Sequence, residues 1–168
     1  MTRYFEQVNV GDMLEPLVRG PFSSAHLMRW SSAMENWHKI HYDRKFAVEH
    51  DKLPGILING TLKQQMIMQF LRVWAGNTGW VWKVGFQFRA MNVEGEVLRL
   101  WARVVGKRES PLYGLVDLEL GIVNDEQKES TPGTAIIALP YAKGAPVPYP
   151  FVPLQDPGTG RNVAKESK

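Results

Sequence analysis

A chain of 168 residues with 44% hydrophobic and 22% charged content suffices for one domain with a real core and is too short for two ordinary ones. A formal charge of +3 from scattered basic residues argues against nucleic acid, and no apolar run nears the roughly 20 residues of a membrane span. The absence of cysteine excludes a disulfide framework, a thiol nucleophile and thiolate metal sites. Because Met1-Thr2-Arg3-Tyr4-Phe5-Glu6 has no apolar signal core, a cytoplasmic location is expected. The mild positive excess suits an anionic small ligand.

Residues 1–22 read as extended and loop-like, with a turn at Gly11-Asp12 and breakers at Pro16 and Pro21. Ser23 or Ser24 can cap a first helix whose apolar face is Leu27, Trp30 and Met34, and which is expected to end near Asn36–His38. Asp43 can cap a short second helix, Arg44–His50. Pro54-Gly55 breaks the chain, and Ile56-Leu57-Ile58 reads as a buried link. From Thr61 to Trp74 the period is helical. Leu62, Met66, Ile67, Phe70, Leu71 and Trp74 share one face, Lys63, Gln64, Gln69 and Arg72 are placed off it, and Gly76-Asn77 is the stop. Strands follow at Trp80–Arg89, Val97–Val105, Val116–Ile122 and Thr134–Leu139, alternating with period two between short turns, as in an antiparallel meander with one covered face. Six prolines fall between Pro140 and Pro157. A domain over 1–140 and a Pro-rich tail over 141–168 are therefore expected, the tail packing through Tyr149-Pro150-Phe151 and mobile over 155–168.

The segment richest in chemistry is Asn36-Trp37-His38-Lys39-Ile40-His41-Tyr42-Asp43, with two of the four histidines. A free histidine titrates near pH 6.5 and can both take and give a proton. Nearby, Asn59-Gly60-Thr61 opens the long helix. The Gly60 and Thr61 amides at a helix N-terminus stabilise negative charge, and ordinary capping by Asn59 is an alternative role that can hold alongside it. Two histidines three apart lack a third ligand, so no metal is expected.

These residues resemble the MaoC-like hydratase/dehydratase family, the (R)-specific enoyl-thioester hydratases, over residues 4–140. The family motif is Asp-x-Asn-Pro-x-His, then five residues and a small one. Here Asn36 stands at the Asp, His38 at the Asn, Lys39 at the Pro, His41 at the His and Ala47 at the small residue. Ile58-Asn59-Gly60-Thr61 resembles the family's Val-His-Gly segment. Phe88-Arg89, Gly95-Glu96 and Gly133-Thr134-Ala135 resemble its strand signatures. The variant Asn-x-His-Arg-Ile-His-Tyr-Asp is similar to the mesaconyl-CoA-type branch, from which this chain departs at Lys39.

The resemblance implies an α+β hot dog fold, a long central helix wrapped by an antiparallel sheet of about five strands. It implies hydration of a 2-enoyl-CoA, or dehydration of an (R)-3-hydroxyacyl-CoA, with coenzyme A present only as part of the substrate. His41 is then the acid–base catalyst and Asn36 orients through its amide, and either His38 is a second proton carrier or His41 acts alone. Asn59, Gly60 and Thr61 hold the thioester oxygen, and Arg89 and Lys83 are candidates for the coenzyme A phosphates. A homodimer or dimer of dimers is expected, or pairing with a heteromeric MaoC-like partner. Two rivals remain: a non-catalytic acyl-CoA-binding subunit, and a hot dog thioesterase, for which only Glu35 and Asp43 flank the motif as carboxylates.

Overall fold

The computed structural model describes residues 2–153. The 155–168 stretch expected to be mobile lies outside the described residues, as does the remainder of the tail beyond Pro153. Two α-helices, α1 (Ser24–Ala33) and α2 (Gly60–Ala75), and five strands, β1 (Leu17–Arg19), β2 (Trp80–Phe86), β3 (Leu98–Arg108), β4 (Gly114–Val123) and β5 (Gly133–Leu139), make up the fold. The strands form one sheet in the order β1-β3-β4-β5-β2, and every pairing is antiparallel. No helix among the described residues is long and apolar enough to cross a membrane.

The core follows from two periodicities. Helix α2 turns Met66, Ile67, Phe70 and Leu71 inward, and β3 offers Leu98, Leu100, Ala102 and Val104 from alternate positions. Val116, Leu118, Leu120 and Ile122 of β4 and Ala135, Ile137 and Leu139 of β5 complete the same cluster. Each side chain larger than alanine contributes about 1.5–3 kcal/mol on burial, so this face of the sheet holds α2 in place. Gly76 ends the helix at φ 74°, a left-handed conformation that glycine adopts without cost.

Three expectations need correction. The N-terminal stretch read as loop supplies an edge strand, β1, pairing Leu17 with Leu100 and Arg19 with Leu98. Helix α1 stops at Ala33, before the expected 36–38. Glu35 takes φ 50° and the Asn36 amide folds back onto the Ser31 carbonyl at 2.9 Å, so Met34 is left 49% exposed, off the helix face. The expected short helix over 44–50 is present, capped by Asp43 through the Phe46 amide, with Phe46–His50 wound as a π-helical turn. Strand β2 ends at Phe86, not Arg89. Opposite it the chain reaches Pro132, which has no N–H to give, so Gln87 donates to the Pro132 carbonyl and Arg89 and Ala90 to the Ser130 carbonyl outside the ladder.

The opposite face of the sheet has its own cover. Tyr113, Leu115 and Ala138 pack with Trp82, Ile136, Val147 and Phe151. The Tyr113 hydroxyl donates to the Val152 carbonyl at 2.7 Å, and Phe151 stacks on Trp80 with centroids 5.8 Å apart. The start of the Pro-rich tail thus lies on its own chain, although Tyr149 remains 85% exposed.

Candidate active site

Two segments meet at the N-terminus of α2. The first is the turn after α1, residues 36–43. The second is the extended link 56–59. The Leu57 amide donates to the Ile40 carbonyl at 2.9 Å, and the ring of His41 answers with an Nδ1 contact to the Leu57 carbonyl at 3.0 Å. A carbonyl only accepts, so Nδ1 carries the proton in the neutral ring and Nε2 keeps its lone pair. Partial burial lowers the His41 pKa from 6.5, against the raising effect of the Leu57 bond, and His38 lowers it further. A neutral ring with a free basic nitrogen is therefore the resting state.

The second tie runs through amides. Asn36 donates from Nδ2 to Asn59 Oδ1 at 3.1 Å and accepts the His38 amide on its own Oδ1 at 3.2 Å. Asn59, only 2% exposed, donates to Ser31 Oγ at 3.2 Å. The Thr61 hydroxyl donates to the same Asn59 oxygen at 3.3 Å and accepts the Trp30 indole N–H at 2.9 Å. Asn59 occupies the N-cap position of α2 yet makes no side-chain capping bond. Its side chain is spent on α1 and the 36–38 turn, so the Gly60 and Thr61 amides are not blocked by it. The ring of Phe88 lies directly over Gly60, where an added Cβ would stand 2.9 Å from Phe88 Cε2. A glycine is needed there for that close approach.

His38 caps the turn Lys39–His41 and is exposed; its ring stands 6.2 Å from that of His41, and its Nδ1 receives the Ile40 amide at a long 3.5 Å. Lys83 sits exposed on β2 with its ammonium 4.2 Å from the Trp82 ring, and Arg89 is exposed beyond the end of that strand. The structure thus brings His41, Asn36, Asn59, Gly60 and Thr61 together, with His38 at their edge. Of the flanking carboxylates, Asp43 is occupied in accepting the Phe46 amide at 3.0 Å, and Glu35 is exposed in the left-handed turn. No group of three metal-ligating side chains occurs among the described residues.

The matching family model, hydroxyacyl-thioester dehydratase type 2, covers residues 15–95, which contain this whole constellation. Mesaconyl-C(4)-CoA hydratase of Chloroflexus aurantiacus is 33% identical over 84 residues, 49% of this chain and 29% of that protein. Among solved structures, the (R)-hydratase of A. caviae involved in PHA biosynthesis superposes with a TM-score of 0.71 at 18% identity, over 80% of this chain and 99% of that one. The MaoC-like dehydratase of Rhodospirillum rubrum gives 0.71 at 16% identity, over 83% and 97%. The chain has the hot dog fold of these proteins. The ChsH1-ChsH2 complex of Mycobacterium tuberculosis is also similar, with a TM-score of 0.68 at 15% identity over 78% of this chain and 98% of that one.

Within this hot dog domain, the sequence reading missed Trp30 and Ser31, whose polar atoms hold the amide network, and it misplaced Lys63. That lysine is 3% exposed, with Nζ 3.2 Å from the Ala90 carbonyl and 3.0 Å from Asn92 Oδ1. Its spacing from Met66, Ile67 and Phe70 puts it on the buried stripe, a signal that its charge obscured.

Proposed function

We propose that the chain hydrates a 2-enoyl thioester and, in reverse, dehydrates the (R)-3-hydroxyacyl thioester, with coenzyme A as the acyl carrier. One observation carries the reading: His41, anchored at Nδ1 with Nε2 free, stands in one constellation with uncapped amides at the start of α2. In the forward direction His41 Nε2 takes a proton from water as the oxygen bonds to C3. The π pair of the C2–C3 bond moves toward the thioester oxygen. The Gly60 and Thr61 amides and the positive end of the helix stabilise the charge that develops there. The enolate then collapses as C2 takes the proton, from His41 itself or from His38 beside it, so that one water is added overall. Asn36, held by Asn59, orients the water without moving a proton. Beyond Trp30 lies an apolar cavity of about 360 Å³, walled by Trp30, Leu62 and Phe22 and rimmed by Arg19, His26 and Arg29. That basic rim suits the anionic carrier better than Lys83 and Arg89 do.

A second reading is favoured by the amide at position 36, where the family has a carboxylate. The chain would then be an acyl-CoA-binding subunit that needs a catalytic MaoC-like partner. A spectrophotometric hydration assay of the purified chain on enoyl-CoAs of graded length separates the two. Turnover by the chain alone supports the enzyme. Silence across the panel, with binding of the same thioesters retained, supports the subunit.

A further inference from the structure

The lysine of the first turn of α2 takes no part in the chemistry above, yet it is among the most completely enclosed polar side chains of the described residues. Lys63 is 3% exposed and Asn92 2%. They belong to one buried chain. Lys63 Nζ donates to Asn92 Oδ1 at 3.0 Å and to the Ala90 carbonyl at 3.2 Å, with the Phe88 ring 5.2 Å away. Asn92 Nδ2 donates to Glu96 Oε2 at 2.8 Å, and the other Glu96 oxygen accepts the Val93 amide at 3.0 Å. A buried ammonium is costly unless paired and bonded. Its presence where an apolar residue would continue the stripe calls for a reason.

The backbone supplies one. The Asn92 carbonyl accepts the Ile58 amide at 2.9 Å, Leu57 and Val93 form an antiparallel bridge, and the Glu94 amide donates to the Ile56 carbonyl at 2.9 Å. The 56–58 link is therefore held on one side by the 92–94 segment that Lys63 fastens. On its other side the Leu57 carbonyl holds His41 Nδ1 at 3.0 Å. We propose that Lys63 is a positioning residue for His41: through Asn92 it fixes the 56–58 link, and with it the Leu57 carbonyl that sets the tautomer and direction of the histidine ring.

Lys63 is too enclosed to meet a substrate, so it acts only through these contacts. The arrangement resembles the way outer partners of a functional histidine fix its ring by holding the acceptor of its second nitrogen. Burial lowers the Lys63 pKa to about 8, with Glu96 opposing that shift. The ammonium is accordingly the form that makes both bonds at neutral pH.

This inference rests on the proposed role of His41 for its catalytic meaning, but its test does not need turnover. Histidine ¹⁵N and ¹H NMR of wild type, Lys63→Met and Asn92→Ala at neutral pH reads the His41 ring directly. Wild type is expected to show one neutral tautomer, with a slowly exchanging Nδ1 proton. In both variants, with circular dichroism unchanged, that proton is expected to exchange too fast to observe and the two tautomers to mix. If turnover is present, kcat should fall about tenfold with KM little changed. A folded Lys63→Met whose His41 tautomer and exchange match wild type overturns the proposal. Should Lys63→Met fail to fold, Asn92→Ala reads the same link from its other end, and an unaltered His41 there overturns it equally. A wild type silent on every thioester, but whose His41 ring responds to both variants, removes the hydratase reading and leaves the positioning role standing.

Discussion

The enclosed lysine makes a thermodynamic prediction that requires no substrate. Lys63 loses its proton near pH 8 in the folded chain because of burial, whereas its ordinary value is 10.5. Between those limits the unfolded chain binds more protons than the native one, so the free energy of unfolding rises with pH across that window. Below about pH 8 both states hold the proton and the cost of enclosing the charge is fully present; above 10.5 neither does. At 1.36 kcal/mol per pK unit, the full gap corresponds to about 3 kcal/mol. The assay is urea unfolding followed by tryptophan fluorescence, for wild type and Lys63→Met, in steps from about pH 7 to 10.5. Other titrating groups act on both proteins, so the difference between the two stability curves isolates Lys63. That difference is expected to climb toward wild type by about 3 kcal/mol from end to end. Glu96→Gln, which removes the opposing charge, should move the onset to lower pH. Parallel curves for wild type and Lys63→Met would refute the claim that this amine is forced toward neutrality by its burial.

Three further outcomes are expected. His41→Ala should lower kcat by roughly 10²–10⁴-fold, the range for a lost acid–base group, and the acid limb of wild-type kcat/KM should fall below pH 6.5, because burial extends the basic form of His41 downward; a limb at or above 6.5 contradicts the assignment. Asn36→Ala should be mild, about 0.5–1.5 kcal/mol for a lost neutral hydrogen bond, and His38→Ala should cost more; the reverse order in single-turnover kinetics would reverse the roles. Light scattering should give a dimer or a dimer of dimers, since β1 and β2 leave the sheet with two edges; an active monomer at micromolar concentration would count against that assembly.

Much of the fold is written in periodicity. The α2 stripe and the alternation in β3 and β4 depend on neighbours in sequence, and both appear where the pattern puts them. What escaped depends on pairing. Three residues at 17–19 carry no strand signal of their own and become β1 only because Leu100 offers a free edge. Strand β2 stops at Phe86 because a proline lies on the facing chain, not on its own. Within the site, His41 and the Asn59-Gly60-Thr61 step were readable because each lies in a motif. The chain Lys63–Asn92–Glu96 was not, because its members come from two stretches far apart in sequence. Its charge places Lys63 off the apolar face, although its spacing falls on the apolar register. Propensity put a charge outside; a partner 29 residues away in sequence brought it in.

The amide at position 36 belongs to a network with a direction. Trp30 donates to Thr61, Thr61 to Asn59 Oδ1, Asn36 to the same oxygen, and Asn59 to Ser31. A carboxylate at 36 would face that oxygen as a second acceptor. Relief requires the Asn59 amide to flip, so that its NH₂ turns to position 36 and its oxygen accepts from the Ser31 hydroxyl. The Thr61 hydroxyl then loses its acceptor and, on an exposed residue, turns to water instead, so the cost is that of one neutral hydrogen bond, about 0.5–1.5 kcal/mol. Asn36→Asp is therefore not a simple return to the family motif. It is expected to lower stability by about that amount in urea unfolding and to yield at most weak hydration by the chain alone. Equal stabilities for wild type and Asn36→Asp would mean that the network has no preferred direction, and that the amide at 36 is not matched to its neighbours.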